Sequence, residues 1–289
     1  MHIFLTGGTG IIGSAVLACA LKEGHTVTAL ARTTETAAQL ESRGAQALAG
    51  DITQPEKWVD HAASADCFIH LASSFDASMA QTDPLLIDQL ATATRPRATP
   101  LRFLYTGGCW LFGATHNAIA HEESPLNSIA AFDWAAACIA QLKALPHLST
   151  AILHPGMVYD GGGGVFSRYI RALRQGRPPS IWGDAKTRWP LVHRDDAAAA
   201  YVLLAGLADT GTFNVVTQQG VSQNDITDVL RDQAGIKAPA AVMPHKWVLS
   251  RHGRMGEGPM LDQQMSGARL LTLGWQPDYP DFSALHYEV

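Results

Sequence analysis

The sequence predicts an α/β protein, a doubly wound parallel sheet with a smaller C-terminal lobe, on three observations. Short apolar runs alternate with helical patterns through the first half of the chain. A glycine-rich turn joins the first such run to the first helix. The alternation then changes character after Pro155. Strand and helix in repeated order imply a parallel sheet covered on both faces by helices.

Taken in order, the runs "HIFLT" (2–6), "TVTALA" (26–31), "AQALAG" (45–50), "CFIHLA" (67–72), "RFLYT" (102–106) and "TAILH" (150–154) each suit a buried strand. They are short, apolar or β-branched at most positions, and bounded by Gly, Pro or charge. "GSAVLACALKEGH" (13–25) has helical spacing and a Gly-His stop. Past Pro155, "GMVYDGGGG" reads as loop and "VFSRYIRALRQGRPP" (165–179) as a helix ended by Gly and Pro. "PLVHRDDAAAAYVLLAGL" (190–207) opens a second long helix with Asp195 or Asp196 as its cap. "GTFNVVT" (211–217) returns as a strand, and from about 218 helices are broken by Pro and Gly. The expected division is therefore 1–155 with 190–217 as the sheet domain, and 156–189 with 218–289 as the smaller lobe over the strand ends.

With 289 residues, 47% of them hydrophobic, the chain can bury a large core. A net charge of −5 without a basic run argues against a nucleic-acid or membrane-surface partner. Cys19, Cys67, Cys109 and Cys138 are scattered, form no CxxC pair and have no zinc-like spacing, so no metal site is expected. They read as reduced thiols of a cytoplasmic protein. "MHIFLTGG" lacks the charged and long apolar regions of a signal peptide, and no apolar run reaches the roughly 18 residues needed to span a bilayer.

"FLTGGTGIIGSAV" (4–16) carries the chemistry. Gly7 permits a tight turn, Gly10 lets a phosphate approach the backbone, and Gly13 lets the helix pack on the strand. Helix-terminal N–H groups then face a pyrophosphate. The motif follows a strand and opens a helix, the context that gives it meaning. The second strand ends in "ALARTTE", with Ala31 and Arg32 where NAD sites usually carry a carboxylate. A guanidinium there can pair with a 2′-phosphate, favouring NADP(H) over NAD(H), or can simply be a solvated strand-end arginine. In "GDIT" (50–53), Asp51 can accept from an adenine amino group while Ile52 covers the ring, and Asp51 can also cap the next helix. Small residues in "HLAS" (70–73) allow close approach.

Together these stretches resemble the short-chain dehydrogenase/reductase superfamily, in its extended branch of epimerases, dehydratases and reductases. "TGGTGIIG" resembles its phosphate turn, "RFLYTGGCWLFG" (102–113) its fifth strand, and "HPGMVYDGGGGVF" (154–166) its nicotinamide-passing segment. "WPLVHRDDAAAAYVLL" (189–204) and "ARLLTLGWQP" (268–277) are similar to its later landmarks. The resemblance implies a Rossmann-like fold. It also implies cofactor contacts at Gly7, Thr9, Gly10, Ile11, Ile12, Gly13, Arg32, Asp51, Ile52, Leu71, Ala72, Ser73, Thr106, Pro155 and Val158. In extended members two helices often pair across a homodimer, and the Ala-rich 134–144 segment can pack in that way or within one subunit.

The family's catalytic group is a serine plus a tyrosine and lysine spaced YxxxK. Placed on that pattern, this chain has Gly108, Phe132 and Ala136, or Asp133 and Ala137 after a one-residue gap. None of its tyrosines has a lysine four residues later. Phenyl and methyl groups cannot donate a proton, and such help is typically worth about 10²–10⁴-fold. Thr106, Cys109, Tyr159 and Asp133 remain as replacement candidates, each with a bland reading: strand-end hydroxyl, buried thiol, packing ring and solvated helix residue. Trp134, His116, His121, His154 and the His193–Asp195–Asp196 group also read as structural. The expectation is an atypical NADP(H)-dependent oxidoreductase acting on a small molecule that accepts hydride without a strong acid. A non-catalytic NADP(H) sensor or scaffold, and a lyase or isomerase on the same fold, stand as alternatives.

Overall fold

The computed structural model describes every residue except Phe75 and Ala77. In chain order it runs β1 (His2–Thr6), α1 (Ile11–Lys22), β2 (Thr26–Ala31), α2 (Thr34–Glu41), β3 (Gln46–Ala49), α3 (Val59–Ser64), β4 (Cys67–His70), α4 (Met79–Ala93), β5 (Leu101–Thr106), α5 (Asp133–Ala144) and β6 (Leu148–Pro155). It continues through β7 (Met157–Asp160), β8 (Gly163–Gly164), α6 (Ser167–Arg174), β9 (Ser180–Trp182), β10 (Arg188–His193), α7 (Arg194–Gly206) and β11 (Gly211–Val215). The last elements are β12 (Gln218–Ser222), α8 (Gln223–Gln233), β13 (Ala241–Met243), α9 (His245–His252) and α10 (Ala268–Thr272).

By internal packing the chain divides into two units: 1–107, 134–154 and 197–213 in the first, and 108–133, 155–196 and 214–289 in the second. The first unit holds a seven-stranded sheet of order β11-β6-β5-β4-β1-β2-β3. Pairings β3–β2, β2–β1, β1–β4, β4–β5 and β5–β6 are all parallel. Parallel strands buried on both faces are apolar throughout, and Ile3, Phe4, Leu5, Phe68, Ile69, Phe103 and Leu104 are all shut from solvent. The arrangement is the Rossmann-like doubly wound sheet expected. Strand order reverses between β1 and β4, so the C-terminal ends of these two strands bound the crevice where such sheets take ligands.

The second unit contains a four-stranded sheet, β12-β10-β7-β8, and a two-stranded one, β13-β9. Here the sequence expectations need correction. "GMVYDGGGG" is strand rather than loop: β7 pairs in parallel with β10 and antiparallel with β8, because Met157 and Tyr159 alternate inward in period two. The helix expected over 165–179 is confined to Ser167–Arg174, and Ser180–Trp182 leaves it as a strand beside Ala241–Met243. "WPLVH" completes β10 before α7 begins at Arg194. The segment 108–133, expected with the sheet domain, packs in the second unit. Gln263 Nε2 donates to the carbonyls of Cys109 and Gly113 at 2.7 Å each, and Ala120 N donates to the Gln264 carbonyl at 2.8 Å. These bonds join residues some 150 positions apart, which no local pattern encodes.

Candidate functional site

The site is built where β1 ends. Gly7 has φ +76°, and a Cβ there would lie 2.7 Å from the backbone nitrogen of Ala72. Only glycine lets the turn cross the end of β4 so closely. A Cβ on Gly13 would fall 2.0 Å from the Gly7 carbonyl oxygen, so α1 starts tight against the turn for the reason the spacing suggested. Gly10 N donates to the Gly7 carbonyl at 3.0 Å and closes the elbow. Gly10 caps α1 without any side-chain hydrogen bond, and the first turn holds no acidic residue. Thr9 and Gly10 are exposed and Ile11 and Ile12 half-buried, leaving the positive end of the helix open to an anion.

Beneath this elbow lies a polar group that the sequence analysis did not single out. Thr6 Oγ1 accepts from the backbone N–H groups of Leu71 and Ala72 at 3.3 and 3.4 Å, and shares a 2.8 Å hydrogen bond with His70 Nδ1. The other imidazole nitrogen of His70, Nε2, is buried and makes no hydrogen bond among the described residues. That nitrogen points at Asp83 Oδ1, 3.6 Å away, while Tyr105 donates to Asp83 Oδ2 at 2.6 Å. All four side chains are buried. Burial beside the Asp83 carboxylate pushes the Tyr105 phenol well above its ordinary range, so it stays a donor.

Arg32 sits exposed just past β2. Thr33 caps α2, accepting from Thr36 N at 3.2 Å, and Glu35 occupies the first turn of that helix. Backbone and Thr33 hydrogen bonds hold the Glu35 carboxyl below the usual range, so a negative charge stands near Arg32 in sequence. Asp51 is not a helix cap. Its Oδ1 accepts from the amide and hydroxyl of Thr53 at 2.9 and 2.8 Å, which lowers its pKa, and the following short helix begins only at Pro55. The Asp51 carbonyl in turn accepts from Trp58 Nε1 at 2.8 Å, fixing Asp51 and Ile52 at the mouth of β3. Leu71 and Ala72 are half-buried and Ser73 is exposed.

The replacement candidates divide by unit. In the first unit, the Thr106 hydroxyl donates to the His70 carbonyl at 2.7 Å and accepts from Tyr201, 2.8 Å away, so its proton is committed. In the second unit, Cys109 is buried and desolvation pushes its thiol up to about 12, far from a thiolate. Tyr159 is fully buried, stacked on Phe166 at 5.2 Å, and burial raises its phenol. It is a core ring. Asp133 is exposed in the first turn of α5 and accepts from Ser128 at 3.2 Å. Phe132 is buried with its ring 5.9 Å from Trp110. Gly108 has φ +140°, a backbone setting that a serine rarely adopts. Pro155 is buried at the end of β6, and Val158 is half-buried in β7 against β10.

Asp196 does not cap α7 either. It lies in the first turn, almost fully buried, and accepts from the backbone amides of Asp278 and Tyr279 at 2.7 and 3.0 Å. Desolvation outweighs these bonds and raises its carboxyl to about 6. His193 packs its ring 3.9 Å from that of Tyr279. Among the described residues no group of three or more His, Cys, Asp or Glu is arranged to hold a metal ion, and no helix is long and apolar enough to cross a membrane.

Comparison with known proteins places this geometry in context. The Saccharomyces cerevisiae protein YLL056C is 28% identical over 299 residues, covering 96% of this chain and 95% of the relative. The human epimerase family protein SDR39U1, crystallised with NADPH, superposes with a TM-score of 0.78 at 20% identity, over 99% of this chain and 98% of its own. The Thermus thermophilus UDP-glucose 4-epimerase, crystallised with NAD, gives 0.75 at 20% identity, over 98% and 96%. Both likenesses carry the fold. The model of the NAD dependent epimerase/dehydratase family matches residues 3–215. That span takes in the glycine elbow, the parallel strands and α7, and the chain belongs to the NAD dependent epimerase/dehydratase family.

Proposed function

We propose that this protein binds NADP(H) at the elbow of its first unit and acts as an atypical oxidoreductase on a small organic molecule. The observation that carries the binding is the uncapped, acid-free start of α1 behind a turn that only Gly7 and Gly13 can form. Backbone amides of 10–13 would hold the pyrophosphate, Asp51 and Ile52 the adenine, and Leu71, Ala72 and Ser73 the ribose side. Arg32, with Ala31 in place of the ribose-binding carboxylate, supports the 2′-phosphate form.

Bound, the dinucleotide supplies or accepts a hydride. The protein's own part is to orient and to exclude water. Gly108, Phe132 and Ala136 stand where the family resemblance puts serine, tyrosine and lysine, and the buried Phe132 ring offers no proton. A substrate that needs no strong acid, such as an iminium or a conjugated double bond, suits these residues. A second reading, a dinucleotide sensor without chemistry, gains support from one observation. Thr106, Cys109 and Tyr159 each have their proton hydrogen-bonded or held by burial.

Fluorescence titration with NADPH and NADH tests cofactor choice. We expect Arg32→Ala to weaken NADPH about tenfold, the scale of one charge-assisted contact, and to leave NADH unchanged. Equal loss for both would remove Arg32 from the 2′-phosphate role. Stopped-flow oxidation of NADPH with imine, enone and aldehyde panels then separates enzyme from sensor. Tight binding without turnover of any class favours the sensor.

A further inference from the structure

Among the described residues, the second unit carries cations with no carboxylate at ion-pair distance. Arg168, on α6, lays its guanidinium 3.8 Å from the Trp182 ring centre and 5.0 Å from that of Tyr169. Its Nη1 is buried and has no hydrogen-bond partner. The adjacent Tyr169 phenol gives its proton to Gln223 at 2.6 Å, and burial pushes it up to about 12, so it is no counter-charge. Burial also pulls the Arg168 guanidinium below the usual arginine range. Three other arginines of this unit are paired: Arg188 with Asp262 at 2.7 Å, Arg174 with Glu288 at 2.9 Å and Arg194 with Asp160 at 3.2 Å.

The stack continues outward. Trp182 pairs with His252 at 4.2 Å, and Arg251 lies 4.8 Å over Trp247 on the same helix, α9. That helix and its exit read "HKWVLSRHGR" (245–254), in which five of ten residues are Lys, Arg or His and none is acidic. His245, Lys246, Arg251, His252 and Arg254 are exposed. Among the described residues, no carboxylate lies within ion-pair distance of Arg168, Lys246, Arg251 or Arg254. A buried guanidinium nitrogen without an acceptor is costly, and such a cost persists where a ligand offsets it. Arg168 and His252 already pack against the Trp182 ring, so the rings hold the cations in place rather than stack on a ligand.

We propose that the Arg168–Trp182–His252 stack, with Arg251 over the neighbouring Trp247, is a binding site for the anionic oxygens of a small organic molecule, a phosphate ester or a carboxylate. As the anionic end of a substrate, this site names a substrate class for the reaction proposed above and rests on that reading for its use. The binding itself is measured without dinucleotide, so the two fail separately.

The test is tryptophan fluorescence and calorimetry at low salt with phenyl phosphate, benzoate and neutral benzyl alcohol as probes. We expect one or both anions to bind and benzyl alcohol not to, with affinity falling as salt is raised. Phenyl phosphate ahead of benzoate marks a phosphate ester as the class, and the reverse order a carboxylate. Arg168→Met and Arg251→Gln should each weaken the preferred anion about tenfold, and Arg168→Lys should fall between wild type and Met. Arg171→Gln, in a separate cleft of about 340 Å³ with Gly162 and Arg174, is the control and should bind as wild type. Circular dichroism confirms that each variant is folded; if Arg168→Met unfolds, Arg251→Gln and Arg168→Lys carry the test. Anions that bind no better than benzyl alcohol would overturn the proposal. So would equal losses in Arg171→Gln and the stack variants.

Discussion

At the scale of single residues, the elbow is decided by two hydrogen atoms where other residues have a Cβ. Gly13→Ala puts a methyl 2.0 Å from the Gly7 carbonyl oxygen, and that oxygen belongs to backbone rather than to a side chain that can swing away. We expect a loss of about 1–3 kcal/mol from overpacking, read from the urea midpoint, together with loss of NADPH binding. Unchanged binding in that variant would mean that the elbow plays no part in holding phosphate. Tyr105 makes a different case. Its hydroxyl is the one hydrogen-bond donor within 3 Å of the buried Asp83 carboxylate among the described contacts, since His70 Nε2 is 3.6 Å away. Tyr105→Phe should therefore destabilise the protein by roughly 1–3 kcal/mol, the usual penalty for stranding a buried acceptor.

At the scale of elements, α7 and the chain near 278 are joined through Asp196. Its folded-state pKa of about 6 lies above the 3.8 of an unfolded aspartate, so the folded protein holds this proton more tightly. Its contribution to stability is then fully present below about pH 4 and is lost as pH rises to about 6, a span worth on the order of 3 kcal/mol. Asp196→Asn keeps one acceptor and removes the titration. The stability difference between wild type and this variant should vary across pH 4–6 and be flat above about 7; a difference flat throughout would contradict the buried titration. The start of α5 permits a second test at this scale. Phe132→Tyr combined with Ala136→Lys restores the four-residue spacing of a phenol and an ammonium across the start of α5, and we expect aldehyde reduction with NADPH to appear. A folded but inert double variant would mean that this helix start does not face the substrate.

At the scale of the whole molecule, the chain enters each unit three times, so neither unit is a contiguous piece of sequence. The first unit needs 197–213 to be complete. Arg102 donates through Nε and Nη2 to the Leu204 carbonyl at 2.9 and 2.7 Å, Tyr201 bonds Thr106, and β11 borders β6 in the sheet. A fragment of residues 1–155, the first part of the sheet domain as the sequence suggested it, would leave the Arg102 guanidinium without that carbonyl and β6 as an open edge. We expect it to aggregate or to bind 8-anilinonaphthalene-1-sulfonate strongly. A monomeric, cooperatively unfolding fragment would show that α7 and β11 are dispensable.

The local signals in the sequence determined the parallel sheet, strand by strand to within a few residues, and the glycine elbow with its spacing. Both depend on neighbours close in the chain: alternation of apolar runs, a positive φ, a helix start. The same locality explains the misses. Asp51 and Asp196 both looked like helix caps, because a carboxylate before or within a first turn usually is one. Asp51 instead closes a local turn onto Thr53, two residues on, and tertiary structure gave Asp196 the amides of Asp278 and Tyr279. The strand character of 157–164 needed β10, some 30 residues on, and the placement of 108–133 needed residues 262–266. The Thr6–His70–Asp83–Tyr105 group and the Arg168 stack are assembled from segments far apart in the chain, and no periodicity in any one of them records the meeting. Sequence determined where backbone can turn and which faces are apolar; burial and long-range pairing decided which polar groups keep a proton, a partner or neither.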